Sequence, residues 1–289
     1  MKVAIVTDSN SGFSVEEAKE LGITVVPTPF LIDGEEYLEN VNLTQTQFYE
    51  KLIGNAVVST SQPSVYNISE TWKELLEEYD EIVYIPLSSG LSASCNTSTA
   101  LASEFNGRVQ VVDNKRISVT QKQSVFDAIE LMKEGKTALE IKNWLEKTGK
   151  DSSIYIMLNT LTYLRRGGRI TAAAAALGSL LKIKPVLTIQ GDKLDKFMQV
   201  VSANLGKRRM IDQIGKELST RFNDLVKEGK VVVDVAYTNC EEKAQEFKEE
   251  LNEMLQKYGL TVNRVEPLSL AVACHIGDGS IAVAITRKR

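Results

Sequence analysis

The stretch VAIVTDSNSG, residues 3–12, decides the fold of the first half of the chain. Its four consecutive apolar residues, Val3–Val6, are typical of a strand buried on both faces, and the polar loop after them ends the strand. Ser14 and Glu17 then form a capping-box pattern, which predicts the start of a helix. A buried strand that passes through a polar loop into a helix is the repeating unit of a parallel α/β sheet.

The same alternation continues to about residue 150. Strands are predicted at 23–31, 81–87 and 109–112, and helices at 44–54, 64–79 and 93–104, with further helices up to 148. Asp33-Gly34 is a typical turn signal at the end of an extended segment. We expect residues 1–150 to form an N-terminal α/β domain with a mainly parallel sheet.

The second half has a different pattern, in which some strands follow one another without a helix between them. Strands are predicted at 154–158, 185–190, 194–201, 230–237, 261–266 and 280–286, and helices at 160–166, 170–181, 207–227 and 241–258. Gly191-Asp192 marks a hairpin turn. We expect residues 151–289 to form a C-terminal α/β domain with a mixed sheet, although no linker marks the boundary near 150.

Composition limits the possible functions. Of the 289 residues, 43% are hydrophobic and 25% are charged, and the net charge is −4. This acidic balance gives no electrostatic reason to bind nucleic acid or an anionic membrane. The longest apolar run, 172–181, is shorter than the about 20 residues that span a bilayer. We expect no nucleic-acid partner and no stable membrane insertion.

The cysteines indicate the compartment. Cys95, Cys240 and Cys274 are odd in number and far apart, so they form neither a disulfide framework nor a zinc motif. The first residues reach an acid too early for a signal peptide. A single histidine leaves no His/Cys metal cluster. We therefore expect a cytoplasmic protein without a metal site.

Three hydroxyl-rich loops follow predicted strands. They contain Asp8-Ser9, Thr60-Ser61 and Ser88–Ser92. Ligands of α/β sheets dock at the carboxyl ends of strands, and hydroxyls beside free helix N–H groups suit the oxygens of an anion. Ser and Thr are also the preferred helix N-caps, so capping alone remains the alternative.

Two further segments carry polar side chains beside glycines. His275, the only histidine, precedes Gly277 and Gly279, which let the backbone turn tightly beside a ligand. A lone histidine suits a structural role as well as a functional one. Arg169 ends the basic turn 165–169, in which an arginine could face an anion or solvent.

The sequence contains few of the motifs that known enzyme mechanisms require. A serine hydrolase or acyltransferase could use Ser92 or Ser89 as nucleophile and His275 as base. Asp8 or Asp278 could orient the imidazole. The Gly-x-Ser-x-Gly elbow, the P-loop and the Gly-x-Gly-x-x-Gly fingerprint are absent from the sequence. We expect a binding protein without catalytic residues or a cofactor, and we keep the serine enzyme as the alternative.

Six segments in a fixed order resemble the DegV family along nearly the whole chain. Each is weak alone, but their order and spacing together make the match specific. They are TDS (7–9), TSQPS (60–64), LSSGLS (87–92), LRRGGRI (164–170), LLKIKP (180–185) and the turn HIGDG (275–279).

The resemblance implies two α/β domains that clasp a long-chain fatty acid, with its tail in an apolar tunnel between or beside them. It assigns the carboxyl group to Thr60 and Ser92, with His275 as a nearby polar contact. Ser61 and Ser89, from the same two loops, and Arg169, from the basic turn, are also expected to contact the ligand. The expected ligand-binding residues are Thr60, Ser92, His275, Ser61, Ser89 and Arg169.

The resemblance also implies a protein partner. This is a separate fatty acid kinase, which phosphorylates the carboxyl group for phospholipid synthesis. The sequence departs from the family pattern at Ala93–Cys95, at Asp278 and at Asn204–Gly206. The family has an arginine associated with the kinase partnership at the last of these places. The departures therefore bear on kinase binding more than on lipid binding.

Overall fold

The computed structural model of the protein describes residues 1–176, 183–191 and 193–289. Up to residue 148 the elements are β1 (Val3–Asp8), α1 (Val15–Leu21), β2 (Thr24–Val26), β3 (Phe30–Ile32), β4 (Glu35–Tyr37), α2 (Gln45–Ile53), β5 (Val58–Thr60), α3 (Val65–Glu78), β6 (Glu81–Ile85), α4 (Ser94–Ala102), β7 (Val109–Val111), α5 (Val119–Lys133) and α6 (Ala138–Lys147).

After residue 150 the elements are β8 (Ser152–Met157), α7 (Thr162–Gly167), α8 (Ala172–Ala175), β9 (Lys184–Ile189), β10 (Asp195–Val200), α9 (Ala203–Ser219), α10 (Asn223–Lys227), β11 (Val231–Tyr237), α11 (Glu241–Leu255), β12 (Val262–Pro267), α12 (Leu270–Ile276) and β13 (Ile281–Arg287). Short 3-10 turns lie at Ser9–Ser11, Ser103–Phe105 and Gln256–Tyr258. In the described part of the chain, no helix combines the length and hydrophobicity needed to cross a bilayer.

The first sheet has the order β2-β1-β6-β7, and all of its strands are parallel. Apolar side chains of α1, α5 and α6 pack on one face and those of α3 and α4 on the other. The capping box of Ser14 and Glu17 is present at the start of α1, as the sequence predicts. The strand order reverses between β1 and β6, and ligands of α/β sheets bind at such a point.

The second sheet has the order β10-β9-β8-β13-β11-β12 and is mixed. Its neighbours are antiparallel except β11 and β12, and β9 and β10 form the predicted hairpin, of which Asp192 lies outside the described residues. Helices α9 and α11 cover one face. The other face packs toward loops of the first half. The predicted fold class, an α/β protein with a mainly parallel sheet and a mixed sheet, is confirmed.

A third, antiparallel sheet, β4-β3-β5, corrects two predictions. The extended run 23–31 is two strands in different sheets, because Pro27 and Pro29 lack the N–H groups that would continue one ladder. The loop after Thr60 therefore does not follow a strand of the parallel sheet. Instead, β5 carries Thr60 to the cavity described below from a separate layer.

One predicted helix has different bounds, one helix was not predicted, and one predicted helix lies partly outside the described residues. The helix predicted at 207–227 begins earlier, at Ala203, and is interrupted between Ser219 and Asn223. Helix α12 was not expected, because the short apolar run LAVACHI shows no clear period. Of the helix predicted at 170–181, the structure shows Ala172–Ala175, and residues 177–182 lie outside the described ranges.

Candidate ligand-binding site

A cavity of about 290 Å³ lies beyond the carboxyl ends of β1 and β6, where the parallel sheet reverses its strand order. Its polar lining residues are Asn10, Thr28, Thr60, Ser61, Gln62, Ser92, Arg169 and His275. Its apolar lining residues are Leu87, Leu91, Ala93, Ile117, Leu164, Leu194, Ala271, Val272 and Ile276. The first half, the basic turn and α12 therefore all contribute walls.

A smaller apolar cavity of about 50 Å³ adjoins the first one. The two cavities share the walls formed by Ile117, Leu194, Val272 and Ile276. Apart from Ser118, the lining residues of the smaller cavity are all apolar, and several belong to the six-stranded sheet. The combined space is polar at one end and apolar at the other, which suits a ligand with a polar head and a hydrocarbon tail.

The strand β13 makes room for this apolar end. Ala282 and Ala284 face the cavity, whereas Val283 and Ile285 point to the opposite face of the sheet, toward α9 and α11. Successive side chains of a strand alternate between its two faces. The sequence IAVAI therefore leaves space on one side of the sheet and fills the core on the other.

Thr60 and His275 meet across the polar end of the cavity. The Oγ1 atom of Thr60 lies 2.9 Å from Nε2 of His275, a hydrogen bond whose donor depends on the tautomer of the ring. Burial, and secondarily the positive charge of Arg169, lower the pKa of His275 from 6.5 to about 4. The imidazole is therefore neutral at pH 7, with one nitrogen able to donate and one able to accept.

Helix α12, which carries His275, is fixed at its N-terminus by two side chains. The Oγ of Ser269 accepts a hydrogen bond from the N–H of Val272 at 3.4 Å. A carboxylate oxygen of Glu39 accepts from the N–H of Leu270 at 2.8 Å. Burial raises the pKa of Glu39, and the hydrogen bonds that Leu270 and Gln45 donate to it oppose the rise. The contact with Glu39 thus ties the helix that carries the imidazole to the first half of the chain.

Ser92 lies at the N-terminus of α4, on the cavity wall. Its Oγ accepts a hydrogen bond from the N–H of Ser94 at 3.1 Å, so its own hydrogen remains available to a ligand. The loop before it is closed by N–H groups of Leu91 and Ser92, which both donate to the carbonyl of Ser88. Ser92 therefore accepts a hydrogen bond from the first residue of α4 and also lines the cavity.

The other three predicted residues divide into two groups. Ser61 and Arg169 line the cavity, and the Nε of Arg169 donates to the carbonyl of Leu91 at 3.3 Å. Ser89 does not line it, because its hydroxyl donates to Oδ2 of Asp113 at 2.7 Å. The structure thus brings together five of the six predicted residues and places Ser89 outside the cavity wall.

The rival catalytic arrangement is not assembled. Among the described residues, neither Ser89 nor Ser92 is hydrogen-bonded to His275, whose Nε2 contacts Thr60. The low pKa of His275 makes it a weak base. The carboxylate of Asp8 accepts its hydrogen bonds from Leu87, Asn10 and Gln121 instead. Within the same described ranges, no group of three His, Cys, Asp or Glu side chains could hold a metal ion.

The carboxylate of Asp8 connects several segments beneath the cavity through hydrogen bonds. It is fully buried, and its Oδ2 accepts from the N–H of Leu87 at 2.8 Å. Its Oδ1 accepts from the N–H and the Nδ2 of Asn10 and from Nε2 of Gln121, each at 3.0 Å. Burial raises the pKa of Asp8, and these hydrogen bonds oppose the rise. Four donors and no cation surround this carboxylate among its described contacts.

Asn10 and Thr28 are lining residues that the sequence did not predict. Both are buried, at 4% and 7% exposure, and the Nδ2 of Asn10 donates to Oγ1 of Thr28 at 3.0 Å. The TDS segment was singled out from the sequence, but Asn10 follows it by one position. Thr28 lies between two prolines, and no local pattern indicated that it would face the cavity.

The fold and the site define a class of α/β proteins in which a parallel and a mixed sheet enclose an amphipathic cavity. Comparison with known proteins identifies the family. The DegV family model matches residues 2–288, and the chain belongs to the DegV family.

Individual relatives agree along their whole length. A DegV domain-containing protein of Deinococcus radiodurans is 31% identical over 99% of this chain and 98% of its own. The solved DegV family protein of Thermus thermophilus, described as fatty acid binding, is 28% identical with a TM-score of 0.82 and covers 99% of this chain and 100% of its own. DegV of Bacillus subtilis, described as a fatty acid binding protein, is 27% identical with a TM-score of 0.85, and each chain is fully covered.

Proposed function

We propose that the protein binds a long-chain fatty acid, shields its tail and presents its carboxyl group to a partner kinase. The observation that carries the proposal is the polarity of the cavity, with the Thr60–His275 pair at one end and an apolar extension at the other. Two relatives that match the whole fold are fatty-acid-binding proteins by description. Each half of the proposal has its own physical basis.

The head group lies at the polar end. Hydroxyls of Thr60 and Ser92, with Ser61 beside them, donate to the carboxyl oxygens. Because His275 is neutral at pH 7, Arg169 is the cation among the described residues that line the cavity. Hydrogen bonds to a charged acceptor contribute about 1.5–3 kcal/mol each. Hydroxyl donors hold the acid without occupying it in a tight ion pair, which leaves an oxygen for phosphorylation.

The tail lies in the apolar extension. Each buried methylene contributes about 0.8 kcal/mol, so several carbons in contact with the sheet supply most of the binding free energy. The apolar walls from Ile154, Ile156, Ala282 and Ala284 give no partner to a polar tail. The preferred ligand is therefore an acid with a long hydrocarbon chain.

The protein acts as a carrier and not as an enzyme. The kinase partner and a role in phospholipid metabolism are proposed on the family resemblance. We place this function in the cytoplasm, because the unpaired cysteines Cys95, Cys240 and Cys274 suit a reducing compartment. Incubation of the isolated protein with a fatty acid and ATP is expected to give no acyl phosphate, and addition of a fatty acid kinase is expected to give it.

Lipid extraction and mass spectrometry of the purified protein test the binding step directly. A long-chain fatty acid is expected in the extract, or taken up on incubation. The variant Thr60→Val with Ser92→Ala should weaken acid binding roughly ten- to a thousandfold. Ser89→Ala is the matched control, because this serine belongs to the same loop but is bonded to Asp113. Protein that neither contains nor takes up an acyl chain would overturn the proposal.

The second candidate is a serine-dependent hydrolase or acyltransferase, and its only support is that the chain contains a serine nucleophile candidate, Ser92 or Ser89, and the histidine His275. A fluorophosphonate probe distinguishes it from the carrier. Stable labelling that Ser92→Ala abolishes would favour the enzyme, whereas an unlabelled protein that binds fatty acid supports the carrier.

A further inference from the structure

We infer that Asn10 and Thr28 form a second polar subsite in the cavity, which binds a hydroxyl group on the acyl chain close to its carboxyl end. The inference rests on the proposed function and names a substrate class within it, the fatty acids hydroxylated near the head group. It is drawn from the direction of the hydrogen bonds that lead from Asp8 into the cavity.

The carboxylate of Asp8 fixes the orientation of the Asn10 side chain. The carboxylate is acceptor-only, so the Asn10 atom that faces Oδ1 at 3.0 Å must be the NH₂ group. A turned amide would place its oxygen against the negative charge. The second hydrogen of the same NH₂ group is donated to Oγ1 of Thr28 at 3.0 Å. Both hydrogens of the amide are therefore used.

Two hydrogen-bonding positions of the pair remain. Among the residues that the structure describes, Asn10 donates two side-chain hydrogen bonds from Nδ2, and none is donated to its Oδ1. Thr28 uses Oγ1 as an acceptor for Asn10, so its hydroxyl hydrogen is available to a ligand. Both residues line the cavity and are more than nine-tenths buried. A bound ligand that covered this acceptor and this donor without pairing them would bind at a cost in free energy.

The chemistry of the pair selects its ligand. One donor beside one acceptor is the complement of a hydroxyl group, which accepts and donates at the same atom. An ionised carboxylate only accepts, and Oδ1 of Asn10 would repel it. The head group therefore keeps to Thr60 and Ser92, and the pair is left for a different oxygen. With an unsubstituted acid, a water molecule takes this place.

The backbone places the subsite beside the head-group loop. Phe30 pairs with Thr60 in the three-stranded sheet, and the N–H of Ser61 donates to the carbonyl of Pro29 at 3.2 Å. Thr28 is the next residue along, and its N–H is held by Oγ of Ser9 at 2.9 Å. A hydroxyl that reaches Thr28 while the carboxyl group stays at Thr60 belongs on one of the first carbons of the chain.

The test compares the affinities of hexadecanoic acid with those of its 2-hydroxy, 3-hydroxy and 16-hydroxy derivatives. The parent protein is expected to favour the 2- or 3-hydroxy acid over hexadecanoic acid about two- to tenfold, as one or two neutral hydrogen bonds allow. The 16-hydroxy acid should gain nothing, because its hydroxyl enters the apolar end. In Thr28→Val the preference should disappear, and in Thr28→Ser it should persist.

The control is Thr286→Val, the same substitution at a fully buried threonine of β13 that does not line either cavity. It should leave the preference unchanged. Equal binding of the plain and hydroxylated acids by the parent protein, or a preference that survives Thr28→Val, would overturn the subsite while fatty acid binding stands. Failure to bind any of the acids would instead overturn the proposed function, and the subsite with it.

Discussion

Gly167 and the ring of His275 lie so close together that a Cβ atom on the glycine would stand 2.4 Å from Nδ1 of the histidine. Gly167 is the last residue of α7. The other ring nitrogen, Nε2, contacts Thr60. The imidazole is thus held between the basic turn on one side and the three-stranded sheet on the other, and a glycine is needed for space.

Gly167→Ala should displace the imidazole from Thr60. We expect the affinity for fatty acid to fall about two- to tenfold, the worth of one neutral hydrogen bond. Gly168→Ala is the matched control, because Gly168 has a φ of 69° and no atom within 4 Å of an added Cβ. The control should lose about 1 kcal/mol of stability through backbone strain and keep its affinity. Titration calorimetry and thermal unfolding of both variants provide the comparison, and equal losses of affinity would contradict the clamp.

His275 should titrate far below an ordinary histidine. It is the only histidine, so one imidazole resonance reports its pKa by NMR, with about 4 expected against 6.5 in the unfolded chain. The unfolded chain therefore binds a proton between these values while the folded protein does not. Stability should be complete above pH 6.5 and should fall as the pH decreases toward 4. In Arg169→Gln the resonance should titrate at higher pH, and an unchanged midpoint would show that Arg169 does not act on the ring.

Asp8→Asn should disturb the floor of the cavity. The new NH₂ group would face the N–H of Leu87, two donors without an acceptor, at a cost of about 1–3 kcal/mol. Asp127→Asn is the control, because that carboxylate is buried in α5, accepts a hydrogen bond from Gln123 and lines neither cavity. Both variants should unfold at lower urea concentration, but only Asp8→Asn should also lose affinity for the acid.

Ala282→Leu should shorten the apolar extension. Long acids should then lose affinity by up to about 0.8 kcal/mol for each methylene that is excluded, while decanoic acid should bind as before. The neighbouring substitution Val283→Leu points to the opposite face and should leave the dependence on chain length unchanged. A chain-length profile measured for both variants checks the assignment of the tail, which would be wrong if long and short acids were affected alike.

Local patterns predicted the parallel and mixed sheets well, because the signals of buried strands, helix caps and turns depend on residues that are adjacent in the sequence. The prediction of a single strand at 23–31 was wrong. The extended pattern continues through Pro27 and Pro29, and only the missing N–H groups of these prolines indicate that one strand ends before them and another begins after them in a different sheet. Helix α12 was not predicted, because a run of seven residues, six of them apolar, does not distinguish a buried helix from a strand.

The site was predicted in part for a related reason. Thr60, Ser92 and His275 stand in segments that resemble the family, so their types and order could be recognised. Ser89 belongs to the same loop as Ser92, and the direction of its side chain depends on Asp113, 24 residues later. Asn10 and Thr28 meet only in the folded protein. Which face of a loop is turned inward is a tertiary property.

The alternation of small and large residues along β13 assigns core packing and ligand binding to different side chains of one strand. Every second residue, such as Val283, belongs to the helix-covered core that makes the sheet fold. The residues between them, such as Ala282, border the ligand space. Single substitutions on the cavity face can therefore change which acyl chain is preferred, and they leave the packing of the helix-covered core unchanged. Ligand preference in this architecture is free to diverge faster than stability.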